Sequence, residues 1–209
     1  AGAASYAYAQ LGNGGALAMG NHSGGIKVNS GSTIDFAGGS GGYYNYAQLG
    51  HGGLQAYGSH GSATDVVDVD AAGTISFKGG AGYLAYAQLG LGGYLANGAH
   101  RAGIDVDVAA GDLVFSAGSG QVSYVQLGNG GVYNYAGQRG DVSATVGGDV
   151  AFSGNGASAY AQFGNGGMSA VGSHSGDLSL VTTGAGNSID FSAGAASYAY
   201  AQLGNGGAL

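Results

Sequence analysis

Four histidines recur along the chain at similar intervals, His22, His60, His100 and His174, with Gln138 where a fifth would fall. A histidine column invites metal chemistry. If each interval held two coils of chain, successive members would lie roughly 9.6 Å apart, twice the inter-strand spacing. Metal–nitrogen bonds of about 2 Å would not bridge that gap. One wide coil per interval would instead bring neighbours within a single strand spacing. A polar corner residue copied by duplication is the plainer account of the column. Acidic residues gather in "TDVVDVD" and "IDVDV", where Asp68, Asp70, Asp105 and Asp107 share one parity. Such a patch has the chemistry for loose calcium binding. The glycine runs nevertheless lack the aspartate of the calcium-binding nonapeptide, and a solvated strand face that discourages sideways pairing explains the same residues.

The remaining chemical candidates are weaker. No G-x-x-x-x-G-K-[ST] loop occurs, and lysine stands only at positions 27 and 78. No serine is marked by a neighbouring base. A β-helical lyase would group acidic and basic residues on one local face, whereas this chain has four basic residues scattered among copies. A threonine column of the ice-binding kind fails because Thr33 and Thr74 align with Asp112, Asp149 and Ser188. The chain is therefore read as no enzyme, with no catalytic, cofactor-binding or metal-ligating set.

What must position any of these residues is a repeat. The phrase "YAQLGNGG" returns as "YAQLGHGG", "YAQLGLGG", "YVQLGNGG" and "YAQFGNGG", and the opening "AGAASYAYAQLGNGGAL" recurs unchanged at residues 193–209. Its glutamines are Gln10, Gln48, Gln88, Gln126, Gln162 and Gln202, at separations of 38, 40, 38, 36 and 40 residues. Five diverged units thus form a longer unit of 192 residues, after which the next begins. The units run over approximately 5–42, 43–82, 83–120, 121–156 and 157–196, with a partial sixth at 197–209. Periods of this size signal solenoids, propellers or arrays.

Each unit holds four short apolar stretches bounded by glycine. The third ("IKV", "VDV", "IDV", "VSA", "LSL") alternates apolar with polar residues, the period of a strand with one buried face. The fourth does the same, placing Phe36, Phe77, Phe115, Phe152 and Phe191 in one column with Asp35, Ser76, Val114, Ala151 and Asp190 outward. In "YAQLG" the facing is ambiguous. Alanine and leucine suit a narrow interior better than glutamine, so the expectation turns Gln10 and its equivalents outward. The tyrosines Tyr8, Tyr46, Tyr86, Tyr124, Tyr160 and Tyr200 then form an outer column. The inverse would bury a glutamine column and require amide ladders to satisfy it.

Composition bounds the class. Among 209 residues are 49 glycines and no proline, cysteine or tryptophan, yet 44% are hydrophobic and 15 are tyrosine. That content excludes collagen and argues against disorder, and glycine at nearly every strand boundary disfavours helix. A net charge of −7 on four basic residues argues against nucleic acid or an anionic membrane as partner. No apolar run is long enough to span a bilayer. The chain starts inside a repeat, which reads as a segment of a longer protein.

A lone unit of this size cannot bury its apolar face, whereas stacked neighbours can. The expected fold is all-β: a continuous parallel β-solenoid of five units with about two coils each, plus the start of a sixth. A single wide coil per unit and a set of antiparallel hairpins at the Asn-Gly pairs remain as alternatives. A closed propeller has no reason to begin a perfect second copy of its first blade.

The phrases "GDLVFSAGSG" at 111–120, "GGDVAFSGNG" at 147–156 and "GNSIDFSAG" at 186–194 resemble the repeats of filamentous-haemagglutinin-like exoproteins of Gram-negative bacteria. "YAQLGHGG" is similar to a phrase of large secreted proteins of that group. The resemblance implies a right-handed parallel β-helix at the cell surface or outside the cell, with roles in adhesion or matrix building. On this reading the chain is a structural segment of a fibre or adhesin stalk. Its partners would be its own continuation, neighbouring fibres and surface or matrix glycans. The competing reading is a binding module in which the tyrosine column meets glycans or the aspartates meet calcium.

Overall fold

The computed structural model describes residues 1–208. The "YAQL" phrases form a six-stranded parallel sheet: Tyr8–Leu11, Tyr46–Leu49, Tyr86–Leu89, Tyr124–Leu127, Tyr160–Phe163 and Tyr200–Leu203. Tyrosine stands over tyrosine and glutamine over glutamine throughout. A second sheet stacks Ile26–Ser30, Val66–Ala71, Gly103–Val108, Val142–Val146 and Leu178–Thr182. A third stacks Ile34–Ala37, Ile75–Lys78, Leu113–Ser116, Val150–Ser153 and Ile189–Ser192. A short fourth sheet carries the histidine corner through His100–Arg101, Gln138–Arg139 and His174–Ser175, prolonged by bridges from His22 to His60 and His60 to His100. Among the described residues every strand pairing is parallel and no helix occurs. The chain is a β-solenoid of about five turns.

Two expectations change. Each repeat unit makes one wide coil, because Tyr8 pairs directly with Tyr46 and Tyr46 with Tyr86. Five coils at about 4.8 Å each give a 192-residue rise of roughly 24 Å, half of what two coils per unit would give. Nor does the "YAQL" strand face outward: Tyr46, Gln48, Tyr86, Gln88, Tyr124, Gln126, Tyr160 and Gln162 are all 0% exposed.

Both changes have one cause. The alternate residues of the central strand enter two different cores. Ala47, Leu49, Ala87 and Leu89 pack with Val67, Val69, Ile75, Phe77, Leu113 and Phe115 on one side. On the other side, Tyr46, Tyr86, Tyr124 and Tyr160 pack with Leu54, Leu84, Val122, Val132 and Met168. A narrow coil can wall in only one core. A strand buried on both faces needs a covering layer on each, and about forty residues supply both.

The phenylalanine column lies inside as expected, its rings parallel with centroids 4.8–5.0 Å apart. Of the residues between the apolar partners, Ser76 is covered, whereas Asp35 and Asp190 face solvent.

The glycine signature follows from the two-core design. Gly53, at φ +124, lies under the Tyr46 hydroxyl, where an added Cβ would come within 2.7 Å of the oxygen. Gly50, at φ +150, is pressed against the carbonyl of Gly90 in the next coil. Neither seat admits a side chain.

Two columns of non-glycine residues also take left-handed backbone: Leu17, Gln55, Leu95, Tyr133 and Ser169 in one, and Tyr6, Tyr44, Leu84, Val122, Ser158 and Tyr198 in the other. That conformation costs an L-residue about 1–2 kcal/mol. It persists because the backbone ladder fixes the corner, as in the bonds from Leu17 to Leu54 and from Gln55 to Tyr94. Ser169, at φ 53, enters that ladder through its backbone N–H, which donates to Ala208 O, a bond that glycine would keep. Ser169→Gly should therefore stabilise the fold by about 0.5–1 kcal/mol once the larger unfolded-state entropy of glycine is counted. Thermal and denaturant unfolding of the two chains would measure it.

Candidate functional site

The chemically distinctive part of the molecule is its polar interior, which runs parallel to the coil axis. In the tyrosine column the rings stack nearly parallel, with centroids 4.6–5.0 Å apart. Burial raises the phenol pKa of Tyr46, Tyr86, Tyr124, Tyr160 and Tyr200 above the ordinary range. These hydroxyls stay protonated; Tyr46 and Tyr160 donate to glutamine oxygens, while Tyr86, Tyr124 and Tyr200 Oη have no partner among the described residues.

The glutamines staple coil to coil. Gln48 Nε2 donates to Gly90 O at 3.0 Å and Gly92 O at 3.2 Å in the next coil, and to His51 O in its own. Gln10, Gln88, Gln126 and Gln162 repeat the pattern. The other end of the amide meets the tyrosine one coil on: Tyr46 Oη donates to Gln10 Oε1 at 3.2 Å and Tyr160 Oη to Gln126 Oε1 at 3.4 Å. Burial is thus met on the amide nitrogen by backbone carbonyls rather than by an amide-to-amide ladder, while Gln48, Gln88 and Gln162 Oε1 find no partner among the described residues.

A second polar column was missed in the sequence. The second residue of "GNGG" or "GHGG" caps the backbone of the preceding coil, except in the third coil, where Leu91 stands in its place. Asn129 Oδ1 accepts from Leu91 N, Asn165 Oδ1 from Asn129 N, and Asn205 Oδ1 from Asn165 N, at 2.9–3.1 Å. The amide nitrogen reaches across to the histidine corner, Asn129 Nδ2 donating to Ala102 O at 2.8 Å and Arg139 O at 3.0 Å. His51 reproduces both functions. Its Nδ1 accepts from Asn13 N at 2.9 Å while its Nε2 lies 2.7 Å from Gly24 O. The legible signal was the exchange of asparagine for histidine at one repeat position, since both offer an acceptor and a donor on a short side chain.

The histidine column is tighter than two coils per unit would allow. His22 and His60 stack with centroids 5.2 Å apart, and His60 and His100 at 4.9 Å. Gln138 continues the column, and His60, His100 and Gln138 are fully buried. Face-to-face stacking points the ring edges the same way rather than toward a common centre. Among the described residues no three or more histidine, aspartate or glutamate side chains converge as a metal site. Burial, then the neighbouring His100 and His22, lowers the His60 pKa to about 3. Burial lowers that of His100 to about 4, with Nε2 held 3.0 Å from Ala96 O.

The acidic patch sits outward as its parity implied, Asp68 beside Asp105 and Asp70 beside Asp107. Lys27 on the preceding coil bonds Asp68 and lies 3.4 Å from Asp70, and Ser143 Oγ donates to Asp105 at 2.6 Å. Beside the patch runs an open groove of about 450 Å³ lined by Asn29, Asp70, Asp107, Thr145 and Thr183. Exposed aromatic surface lies elsewhere than expected, at Tyr43, Tyr57, Tyr83 and Tyr135.

Two outcomes follow. Asn129→Ala leaves Leu91 N, Ala102 O and Arg139 O without their side-chain partner and should cost about 2–4 kcal/mol. Asn129→His should cost less than about 1 kcal/mol, because His51 already fills that role; chemical denaturation of both variants checks the contrast. The buried histidines also set a pH dependence. Their native pKa values lie below the unfolded value, so between pH 6.5 and the native value only the unfolded chain takes up the proton. Stability should be constant above about pH 7 and fall below pH 6.5 by up to about 1.4 kcal/mol per pH unit for each of His60 and His100. Melting curves from pH 7.5 to 4.5 should show the slope, and His60→Gln with His100→Gln should flatten it.

No family model, curated protein or solved structure matches this chain.

Proposed function

We propose that the chain is a structural segment of a long, repetitive extracellular fibre or adhesin stalk, acting by rigid stacking and self-association rather than by catalysis. The observation that carries the reading is the unbroken register of the tyrosine, glutamine and phenylalanine columns along an open axis. Gln10, Gln48, Gln88, Gln126 and Gln162 each donate to glycine carbonyls of the following coil, so an added coil supplies both an apolar face and acceptors for its neighbour. That is a rule for lengthening. The glycine-bounded strands favour placement among filamentous-haemagglutinin-like proteins at the surface of a Gram-negative bacterium. Its partners on this reading are its own continuation, neighbouring fibres, and matrix or cell-surface glycans.

A binding module is the second reading, on altered residues. Tyr46, Tyr86, Tyr124 and Tyr160 are sealed in the second core, so a stacking sugar would meet Tyr57 or Tyr135, which are 46% and 59% exposed. Calcium would meet Asp105 and Asp107, the aspartates that Lys27 does not engage.

The test is length. One, two and four tandem copies of the 192-residue unit should appear in electron micrographs as rods of constant width that lengthen by roughly 24 Å per copy, five coils at the inter-strand spacing. Particles that broaden instead, or keep one length, would end the structural reading.

A further inference from the structure

Two of the chain's four basic residues stand side by side on neighbouring coils. Arg101 pairs with Arg139 in the short histidine-corner sheet, and both side chains are exposed. The same place in the other coils holds Ser23, Gly61 and Ser175, so the stacking itself does not call for arginine there. Guanidiniums about one strand spacing, 4.8 Å, apart repel each other. Among the described residues neither makes an ion pair, and both salt bridges belong to Lys27.

Two open recesses share this pair. One, of about 380 Å³, also contains Asp65 and Asp141. Those carboxylates are engaged by backbone N–H groups, Asp65 by Gly24 at 3.0 Å and Ser62 at 2.9 Å, and Asp141 by Asp177 at 2.9 Å. Their charge repels an anion from that side. The other recess, of about 230 Å³, is lined by Ala99, Arg101, Gly137 and Arg139 and contains no acidic residue. A Cβ placed on Gly137 would stand 3.8 Å from Arg139 Nε, so the guanidinium lies beside a floor that has no side chain. Tyr135, 59% exposed, precedes Gly137 by two residues, a backbone reach of at most about 7 Å.

We propose that this second recess binds a carboxylated sugar, its carboxylate shared by Arg101 and Arg139 and its ring laid against Tyr135. The inference rests on the glycan partner of the proposed function, and it names that partner's chemistry and seat. A guanidinium fork matches a planar carboxylate through two parallel hydrogen bonds. A phenol offers an apolar face to the C–H side of a sugar while its hydroxyl stays in water. The small residues Ala99 and Gly137 leave room between the two. With a net charge of −7 the chain has no general attraction for polyanions, so capture has to be local. Both arginines lie on interior coils, the third and fourth, and a rod of several units would present one such seat per unit, which multiplies the avidity for a polymer.

Hexagalacturonate and its fully methyl-esterified form share a backbone and differ in charge, and titration calorimetry on the 209-residue chain compares them. The acid should bind at least about tenfold more tightly than the ester, the worth of one hydrogen bond to a charged group. Arg101→Ser and Arg139→Ser put in the residue type that the fifth coil already uses, and each should weaken binding of the acid by about tenfold. Tyr135→Ala should weaken acid and ester alike, by about threefold to tenfold. Lys78→Ser removes an exposed cation of the third sheet and should change nothing. Melting curves should show the arginine variants no less stable than the parent, since each removes a like-charge neighbour. Equal affinity for acid and ester, a loss with Lys78→Ser as large as with Arg139→Ser, no effect of Tyr135→Ala, or no binding at all would overturn the site. Tandem copies that lengthen as rods while hexagalacturonate fails to bind would sink the sugar site and leave the structural reading standing.

Discussion

Everything in this molecule depends on a four-residue strand that has no outer face. In most half-buried strands polar residues alternate outward and are satisfied by water. Here tyrosine and glutamine alternate into a second core, and burying an amide without a partner costs about 1–3 kcal/mol. The glutamine must find acceptors in protein, and it finds them in the glycine carbonyls of the adjoining coil and one carbonyl of its own. That requirement fixes the axial register. A slip of one residue along the central sheet would exchange the contents of the two cores.

The width of the coil and its glycine signature are consequences. A covering layer on each side of the central strand makes the unit about forty residues long. The corner after the strand must pass beneath a tyrosine hydroxyl and against the next coil's carbonyl, and this accounts for the glycine that follows the leucine and the one that closes the phrase. Side chains elsewhere drift from coil to coil. The outward positions of the second sheet change from lysine to aspartate to serine, as Lys27, Asp68, Asp105 and Ser143 show. The tyrosine, glutamine and phenylalanine columns keep their residue in every coil, whereas the asparagine column admits His51 and Leu91.

A polar interior of this kind specifies as well as stabilises. Apolar ladders of valine and isoleucine tolerate axial slippage, because one aliphatic contact resembles another. Stacked phenols, imidazoles and amides do not, since each has a direction to satisfy. The neutral histidines belong to the same scheme. Held well below their ordinary pKa by burial, His60 and His100 stack without like-charge repulsion, and Gln138 takes a place in the column with no charge at all.

The sequence by itself determined the repeat, its phase, the all-β class and the in-register phenylalanine column, and it favoured parallel stacking over antiparallel hairpins at the Asn-Gly pairs. Each of these follows from letters recurring at a fixed interval and from the two-residue period within strands. The outward parity of Asp68, Asp70, Asp105 and Asp107 was legible for the same reason. Only the tertiary structure decided whether a unit makes one coil or two, and with it the spacing of the histidines and the burial of Tyr46 and Gln48. Strand periodicity separates two faces but does not say what covers each of them. A strand with alanine and leucine on one face and tyrosine and glutamine on the other reads as half-buried until a second layer is found. That layer is built from irregular, glycine-rich chain whose left-handed corners at Gln55 or Val122 carry no local sequence signal, because the neighbouring coils, not the residues, impose them.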